Sequence, residues 1–462
     1  MLPGTLLPTA HLLAMNSSPP WLDPRTAYIH VPFCAHHCAY CDFAVTAGND
    51  HLIDLYVEAV ATELATLCTP RPVESLFIGG GTPTHLSADQ LGRLLEAVTR
   101  WLPLVPAVFS LTSPLEGEVG GASAPGGGAL SDGRAGSLRG GGDATPPPRR
   151  CAATSPSGGE VKAKTDRPSP TAPEFSVESN PDTLTEEKAA VLAAFGVNRV
   201  SIGVQSFQPQ ALAALDRRHA PEHIPRAVEA VRKHIPTVSF DLIFGAPGST
   251  PAGWASDLDA ALAFAPQHVS TYGLTYEKGT PLWKRRGRGA LEPMTEDDEL
   301  AMYEHAMDRL AAAGFEHYEI SNFARPGFRC RHNERYWANE AYYGFGVGAA
   351  RYVNGVRELN VRDTKLYIRK ALAGDPPAFQ REELLPRARA FETMATQLRR
   401  ADGIDRPRFL DQTGFALDDL APAALALLFA NDVTTDDGAA VRLTRRGKCV
   451  ADAAVAELLK YA

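Results

Sequence analysis

The chain has 462 residues, 44% hydrophobic and 22% charged, which leaves room for two domains and a large core. Its formal net charge is −8, with no block of five or six like charges, so neither nucleic acid nor an anionic membrane is an expected partner. No apolar run reaches membrane-span length. Seven cysteines, an odd number, without a secretory signal point to a reducing cytoplasm.

Residues 1–25 lack a positive amino-terminal region. Pro3, Pro8, Pro19 and Pro20 break their apolar letters, so they read as a disordered or misannotated leader, with Met15 as an alternative start. Thr26 to Val31 is the first predicted strand. Tyr28-Ile29-His30-Val31-Pro32-Phe33-Cys34 then runs on to Cys38, Tyr40, Cys41, Asp42 and Phe43, with the cysteines spaced Cys-x3-Cys-x2-Cys. Three thiolates can ligate three corners of a [4Fe–4S] cubane and leave the fourth iron open. Structural zinc wants a fourth ligand, and no second Cys or His pair follows at a suitable distance.

Leu52 to Leu67 is helical, with Leu55, Val57, Val60, Leu64 and Leu67 near one face and Cys68 as a packed closing residue. Ser75 to Ile78 is a second strand. It runs into Gly79-Gly80-Gly81-Thr82-Pro83, where glycines let a backbone approach a ligand closely. Ser87 caps a helix reaching about Trp101. Residues 112–173 are rich in Gly and Pro and contain no Phe, Tyr or Trp, so they read as a disordered insertion that also holds Cys151. The strand–helix rhythm resumes with strands at Phe175–Pro181, Arg199–Phe207, Thr237–Gly245 and His268–Tyr272. The last long helix of this part, Met294 to Ala313, turns Met302, Met307 and Leu310 inward.

Six strands alternating with helices predict an α/β fold, a partial (β/α)6 barrel over 26–315 interrupted by the insertion. Polar residues recur at the carboxyl ends of its strands, where barrels of this kind gather functional groups. Residues 316–380 read as a connecting segment. It holds Cys330-Arg331-His332-Asn333-Glu334-Arg335-Tyr336-Trp337 and a glycine-rich turn from Tyr343 to Ala350. Cys330 is a candidate thiolate ligand and equally a packed thiol. Residues 381–462 read as a small helical domain with helices at Arg389–Arg400, Ala421–Phe429 and Ala453–Lys460. A hairpin over Val433–Leu443 makes it winged-helix-like. Asp411, Asp418, Asp419, Asp436 and Asp437 argue against DNA there.

The cysteine loop, with the aromatic Tyr40 before its last cysteine, resembles the radical S-adenosylmethionine (SAM) superfamily. The wording Tyr28-x-His30-x-Pro32-Phe33-Cys34 resembles one branch of it, the oxygen-independent coproporphyrinogen III oxidases and the HemW-type haem chaperones. The resemblance implies a radical-SAM barrel whose cluster, on Cys34, Cys38 and Cys41, binds SAM. It places SAM contacts at Tyr28, Tyr40, Gly80, Gly81, Thr82 and Glu178. In the oxidases Gln205, Arg217, Asp241 and the position of Thr275 belong to a second SAM. Here Asp216–Arg217 is alternatively a solvated ion pair and Asp241 a buried, capped carboxylate. His332 within His-Asn-x-x-Tyr-Trp resembles the chaperone branch. It is the candidate axial ligand for haem b, with Tyr336 and Trp337 against the porphyrin. Many relatives have a histidine where this chain has Ala350.

Two functions stay open. The favoured one is a haem chaperone that delivers haem to a client such as a respiratory haem protein, meeting a membrane only peripherally through that client. The C-terminal domain would then serve as a porphyrin lid or partner surface. The alternative is an oxygen-independent coproporphyrinogen III oxidase, which would use a SAM-derived radical for oxidative decarboxylation. The oxidases resemble a pattern with a fourth cysteine where this chain has Phe43.

Overall fold

The computed structural model describes residues 19–107, 169 and 171–462. Its framework alternates strands and helices: β1 (Thr26–Val31), α1 (Ile53–Ala65), β2 (Ser75–Gly80), α2 (Ala88–Trp101), β3 (Glu174–Ser179), α3 (Glu186–Ala194) and β4 (Arg199–Gln205). There follow α4 (Pro209–Ala214), α5 (His223–Arg232), β5 (Thr237–Phe244), α6 (Pro251–Ala263), β6 (His268–Gly273), α7 (Pro281–Gly287) and α8 (Glu296–Ala312). Strands β1 to β6 are parallel and neighbour one another in chain order. This is the six-strand partial barrel the sequence predicts.

The strands are amphipathic across their two faces, as side chains alternate along a strand. Ala27, Ile29 and Val31 of β1, Leu76 and Ile78 of β2, and Phe175 and Val177 of β3 are fully buried under the helices. So are Val200, Ile202 and Val204 of β4 and Val238, Phe240 and Leu242 of β5. The helices return matching stripes. In α2, Ser87 accepts from the Gln90 N–H in a capping box, and Leu91, Leu94, Leu95 and Val98 face the sheet. In α1 the buried face is Ile53, Tyr56, Val57, Val60 and Leu64. Leu55, expected on that face, points to solvent. Cys68, expected to be packed, is exposed at a positive φ beyond the helix end, and its thiol donates to Thr66 O at 3.5 Å.

The segment 316–380 is not a connection. It supplies β7 (Glu316–Glu319), β8 (Asn322–Ala324) and β9 (Tyr343–Phe345), giving a nine-stranded sheet of order β9-β1-β2-β3-β4-β5-β6-β8-β7. Strand β9 lies parallel to β1, with Tyr28 opposite Gly344. The expected glycine-rich turn is thus half strand, because Gly344 sits where a Cβ would strike the Ala350 carbonyl oxygen. Helix α9 (Arg331–Trp337) lies between β8 and β9. Strands β10 (Ala350–Val353), β11 (Val356–Asn360) and β12 (Ala378–Glu383) form an antiparallel sheet, with α10 (Thr364–Leu372) between the last two. Residues 19–25, assigned to the leader, belong to the body. Pro20 O accepts from the Ala341 N–H and Arg25 O from the Glu74 N–H. Residues 1–18 lie outside the described residues.

Most of the predicted insertion, Cys151 included, also lies outside the described residues. Its described flanks meet: the Ala107 N–H donates to Thr171 O at 2.8 Å, and β2 and β3 pair directly.

The C-terminal part has its own core around Phe391, Met394, Ile404, Phe409, Leu420 and Leu458. It comprises α11 (Pro386–Gln397), α12 (Arg406–Thr413), α13 (Leu417–Leu420), α14 (Pro422–Ala430), α15 (Arg445–Cys449) and α16 (Ala451–Leu459). With them stands a small sheet of β13 (Ile404–Asp405), β14 (Thr434–Asp436) and β15 (Ala440–Leu443). The sequence missed α12. Gln397 and Gln412 both donate to Ala338 O at 3.1 Å, fixing this part to the end of α9. Asp418 and Asp436 are spent on Arg406, and Asp437 on Arg442.

Candidate functional site

A cavity of about 930 Å³ runs through the barrel. A packed barrel fills its lumen with branched apolar side chains. Here the inward positions are Tyr28 and His30 of β1, Ser176 and Glu178 of β3, and Arg199, Ser201 and Gly203 of β4. Ser239 and Asp241 of β5 and His268 and Ser270 of β6 face it too. With Phe77 of β2 and Tyr336 also at its wall, the lumen mixes polar and aromatic side chains, and its buried polar groups are costly unless something satisfies them.

At its carboxyl end lies the cysteine loop. Cys34, Cys38 and Cys41 are half-buried and all line the cavity. The pairing of Phe33–Cys34 with Thr46–Ala47 folds the loop back over β1. Cys34 Sγ lies 3.5 Å from Thr82 Oγ1, and Arg217 Nη1 donates to Cys38 Sγ at 3.5 Å. Burial pushes Cys34 up to about 11 and Cys41 up to about 12. Both are thiols at neutral pH, and holding iron requires them to give up their protons. Among the described residues no group of three or more His, Cys, Asp or Glu converges as it would on a single ion. Three thiolates on a cubane each bind a different iron, so Cys34, Cys38 and Cys41 need not converge on one point to hold a cluster.

Beside it lies the glycine loop. A Cβ at Gly80, whose φ is +104°, would stand 2.3 Å from the His30 ring, so only glycine fits. The Gly80 N–H donates to Glu178 Oε2 at 2.8 Å. Burial, aided by Asp241, raises Glu178 to about 7 against that hydrogen bond. His30, which the sequence reading did not single out, fixes the floor. Its Nε2 lies 3.0 Å from Ala44 O and its Nδ1 3.0 Å from the Tyr28 hydroxyl. A carbonyl only accepts, so Nε2 carries the proton and Nδ1 accepts from Tyr28. Burial lowers His30 to about 4, keeping it neutral.

The remaining SAM candidates converge on the same cavity: Tyr40, Gly81, Thr82, Gln205, Arg217, Asp241 and Thr275 all line it. The Asp216–Arg217 ion pair is absent. Asp216 pairs with His36 at 2.9 Å, while Arg217 turns inward and donates to Asn180 Oδ1 at 2.7 Å and Gly203 O at 2.8 Å. Asp241 accepts from Ser201 at 3.0 Å, and burial holds its carboxyl above the usual range. Gln205 ends β4 with φ +63° at a break in register, which strains the strand where it meets the cavity.

The amino end of the lumen is closed by α9. His332 there is 2% exposed and lines the cavity. Its Nδ1 hydrogen-bonds with Thr26 Oγ1 at 2.7 Å, and its ring stacks on Phe77 and meets Tyr336 edge-on. Its Nε2 has no hydrogen-bond partner, and burial drives the ring down to about 3, so the imidazole is neutral. Tyr336 lines the cavity. Trp337 does not; one residue further round a short helix, it faces Arg399 of the C-terminal part at 5.8 Å. Cys330 is a buried thiol at the cavity wall that donates to Glu174 Oε1 at 3.4 Å, and burial raises its pKa. Glu174 also accepts from the Arg331 and His332 N–H groups, so β3 positions α9 directly. Ala350 lines the cavity without a ligating atom.

A partial parallel barrel with three cysteines at the carboxyl end of its first strand defines a radical SAM protein. The profile of the Radical SAM superfamily matches residues 28–108 and 156–261, and that of the HemN C-terminal domain matches 384–450. The heme chaperone HemW of Bacillus subtilis (strain 168) is 32% identical over 92% of this chain and 96% of its own length. HemW of Mycobacterium tuberculosis (strain H37Rv) is 32% identical over 95% of each. The chain belongs to the HemW family. The solved structure of the coproporphyrinogen III oxidase HemN from Escherichia coli shares the fold, with a TM-score of 0.71 over 95% of this chain and 91% of that one at 18% identity. Membership of the radical SAM superfamily brings with it a [4Fe–4S] cluster and SAM. No helix among the described residues is long and apolar enough to cross a membrane.

Proposed function

We propose that this chain is a haem chaperone: it binds haem on a radical-SAM scaffold and delivers it to a client haem protein, in the cytoplasm. The observation that carries the haem assignment is His332. It is a neutral imidazole with Nδ1 tied to Thr26 and Nε2 unpartnered at the cavity wall. That arrangement suits an axial ligand, because the hydrogen bond at one nitrogen orients the other. Phe77, stacked on the imidazole, and Tyr336, edge-on to it, supply aromatic surface beside it.

Cys34, Cys38 and Cys41 hold the cluster in this reading, and the cluster, when bound, supplies one-electron chemistry at an iron open to SAM. The Glu178 carboxylate is aimed at a ribose hydroxyl pair. The Gly80–Gly81 backbone makes room for the amino acid end of SAM, and Arg217 and Asp241 are the charged groups next in reach. His332 contacts the first residue of β1 and the cysteines follow its last, so the two sites stand roughly 20 Å apart at about 3.3 Å per residue.

The oxidase reading asks for a fourth cysteine at position 43. Phe43 stands there, 64% exposed at the cavity mouth. One preparation tests both functions. After anaerobic reconstitution the protein should bind about one haem per chain and leave coproporphyrinogen III unchanged in the presence of SAM and a strong reductant. Formation of protoporphyrinogen IX would replace the chaperone by the oxidase.

A further inference from the structure

Helix α7 is joined to the cysteine loop. Thr280 caps it, accepting from the Trp283 N–H at 3.2 Å. Leu282 is fully buried in a small cluster with Ala39, Leu215 and Leu274. The Leu282 N–H donates to Ala39 O at 3.0 Å, and Ala39 lies between Cys38 and Cys41. With Leu282 inward, Trp283, Lys284, Arg285 and Arg286 of the helix and Arg288 just beyond its end are all exposed. Among the described residues none of these four cations has a carboxylate within 4 Å; Arg286 lies instead 4.8 Å over the Tyr276 ring. A chain of net charge −8 thus gathers positive charge without a carboxylate in contact, together with an exposed tryptophan, on a short helix hydrogen-bonded to its cluster loop.

We propose that α7 is the docking surface for an acidic one-electron carrier protein that reduces the cluster. The proposal rests on Cys34, Cys38 and Cys41 holding that cluster. With a flavin donor, the anionic hydroquinone becomes the neutral semiquinone, one electron passes to the cluster, and no proton or heavy atom is transferred. Redox encounters use small interfaces and rely on charge complementarity for their rate, and the patch supplies that complementarity beside the acceptor. Nucleic acid would call for a longer basic track than two helical turns.

The test uses the reconstituted protein and a reduced, acidic flavodoxin as probe. In the Lys284→Glu/Arg285→Glu/Arg288→Glu variant the cluster content should match the wild type. Flavodoxin affinity by calorimetry and the stopped-flow rate of cluster reduction should each fall on the order of tenfold or more at low salt. Both differences should vanish near 1 M salt, where screening is short-ranged. Reduction by a small uncharged photoreductant should be unaffected. The corresponding glutamine triple variant should show a smaller loss. Equal flavodoxin rates in wild type and variants would overturn the proposal. So would oligonucleotide retention by the patch with no change in those rates. A wild type that takes up no cluster would overturn the cysteine-loop assignment, and this proposal with it.

Discussion

The two ends of the barrel lumen are built differently. At the carboxyl end, loops that directly follow β1 and β2 supply the cysteines and glycines as contiguous motifs, and Glu178 of β3 and Arg217 beyond α4 close on them from later in the chain. At the amino end, the first residues of strands far apart in the chain meet a helix from position 332. Thr26, Ser75, Glu174 and Arg199 stand around His332 and Cys330. The first end gets its cysteines and glycines from two contiguous loops and its charged groups from the closing of the sheet, whereas the second end is assembled by the closing of the sheet alone. The carboxyl end should therefore tolerate disturbance of α9, and the amino end should tolerate loss of the cysteines.

The largest expected effect breaks the carboxyl end. Changing Cys34, Cys38 and Cys41 together to alanine should abolish cluster iron after anaerobic reconstitution, since no other described cysteine lines that end of the cavity. Haem binding at His332 should persist. Full cluster iron in the triple variant would refute the ligand set. Next comes the mirror experiment. His332→Ala should weaken haem binding on the order of ten- to a hundredfold, the usual cost of losing a ligand or its support, with cluster content unchanged. Loss of both sites together, read from iron content and the haem absorption spectrum, would show that the two ends are coupled.

How far this contrast was legible in the sequence follows from the same geometry. The cysteine spacing and the glycine run were visible because each is a contiguous motif directly after a strand, whereas Glu178 and Arg217 were named through the family resemblance. The barrel strands were visible as well. The polar lumen was also present, as the period-two alternation of Ser176 and Glu178, of Arg199 and Ser201, and of Ser239 and Asp241. Alternation of polar and apolar residues along a strand does not by itself tell a lumen-facing side from a solvated one. Strands β7 to β9 were hidden because they are short and pair with partners remote in the chain. Tyr336 and Trp337 could not be separated by sequence, since which of two adjacent helical side chains meets the cavity depends on the rotation of α9. The positive helix α7 was hidden by the overall charge of −8.

A smaller effect separates the wall from the cofactor. Glu178 sits at about 7 in the folded chain against an ordinary 4.5. A raised carboxyl makes its full contribution to stability below about pH 4.5 and loses it as pH rises through about 7, because the folded state then has to bury a charge. The cofactor-free protein should therefore be less stable at about pH 8 than at about pH 6 by roughly 1–3 kcal/mol from this group. Glu178→Gln should remove that dependence and weaken SAM binding about tenfold, the scale of a lost charged hydrogen bond. An unchanged pH–stability profile in denaturant titrations would show that the carboxyl is better solvated than its burial implies.

The smallest effect lies away from both ends. The Ala107–Thr171 hydrogen bond and the β2–β3 pairing bring the flanks of the 112–167 segment together. The superfamily profile also leaves out 109–155. Deleting 112–167 should then leave cluster content and haem binding as they are. It should raise stability slightly, because closing a shorter loop costs less entropy: about 0.6 kcal/mol per halving of length, or roughly 1–2 kcal/mol here. Pro173 and Thr171 must be kept, since Asn198 donates to Pro173 O at 2.8 Å and Thr171 closes the junction. Thermal unfolding of the two proteins decides the matter. A deletion that unfolds, or that lowers the midpoint by more than a few degrees, would mean that the segment contributes contacts to the barrel and that β2 and β3 do not hold the junction by themselves.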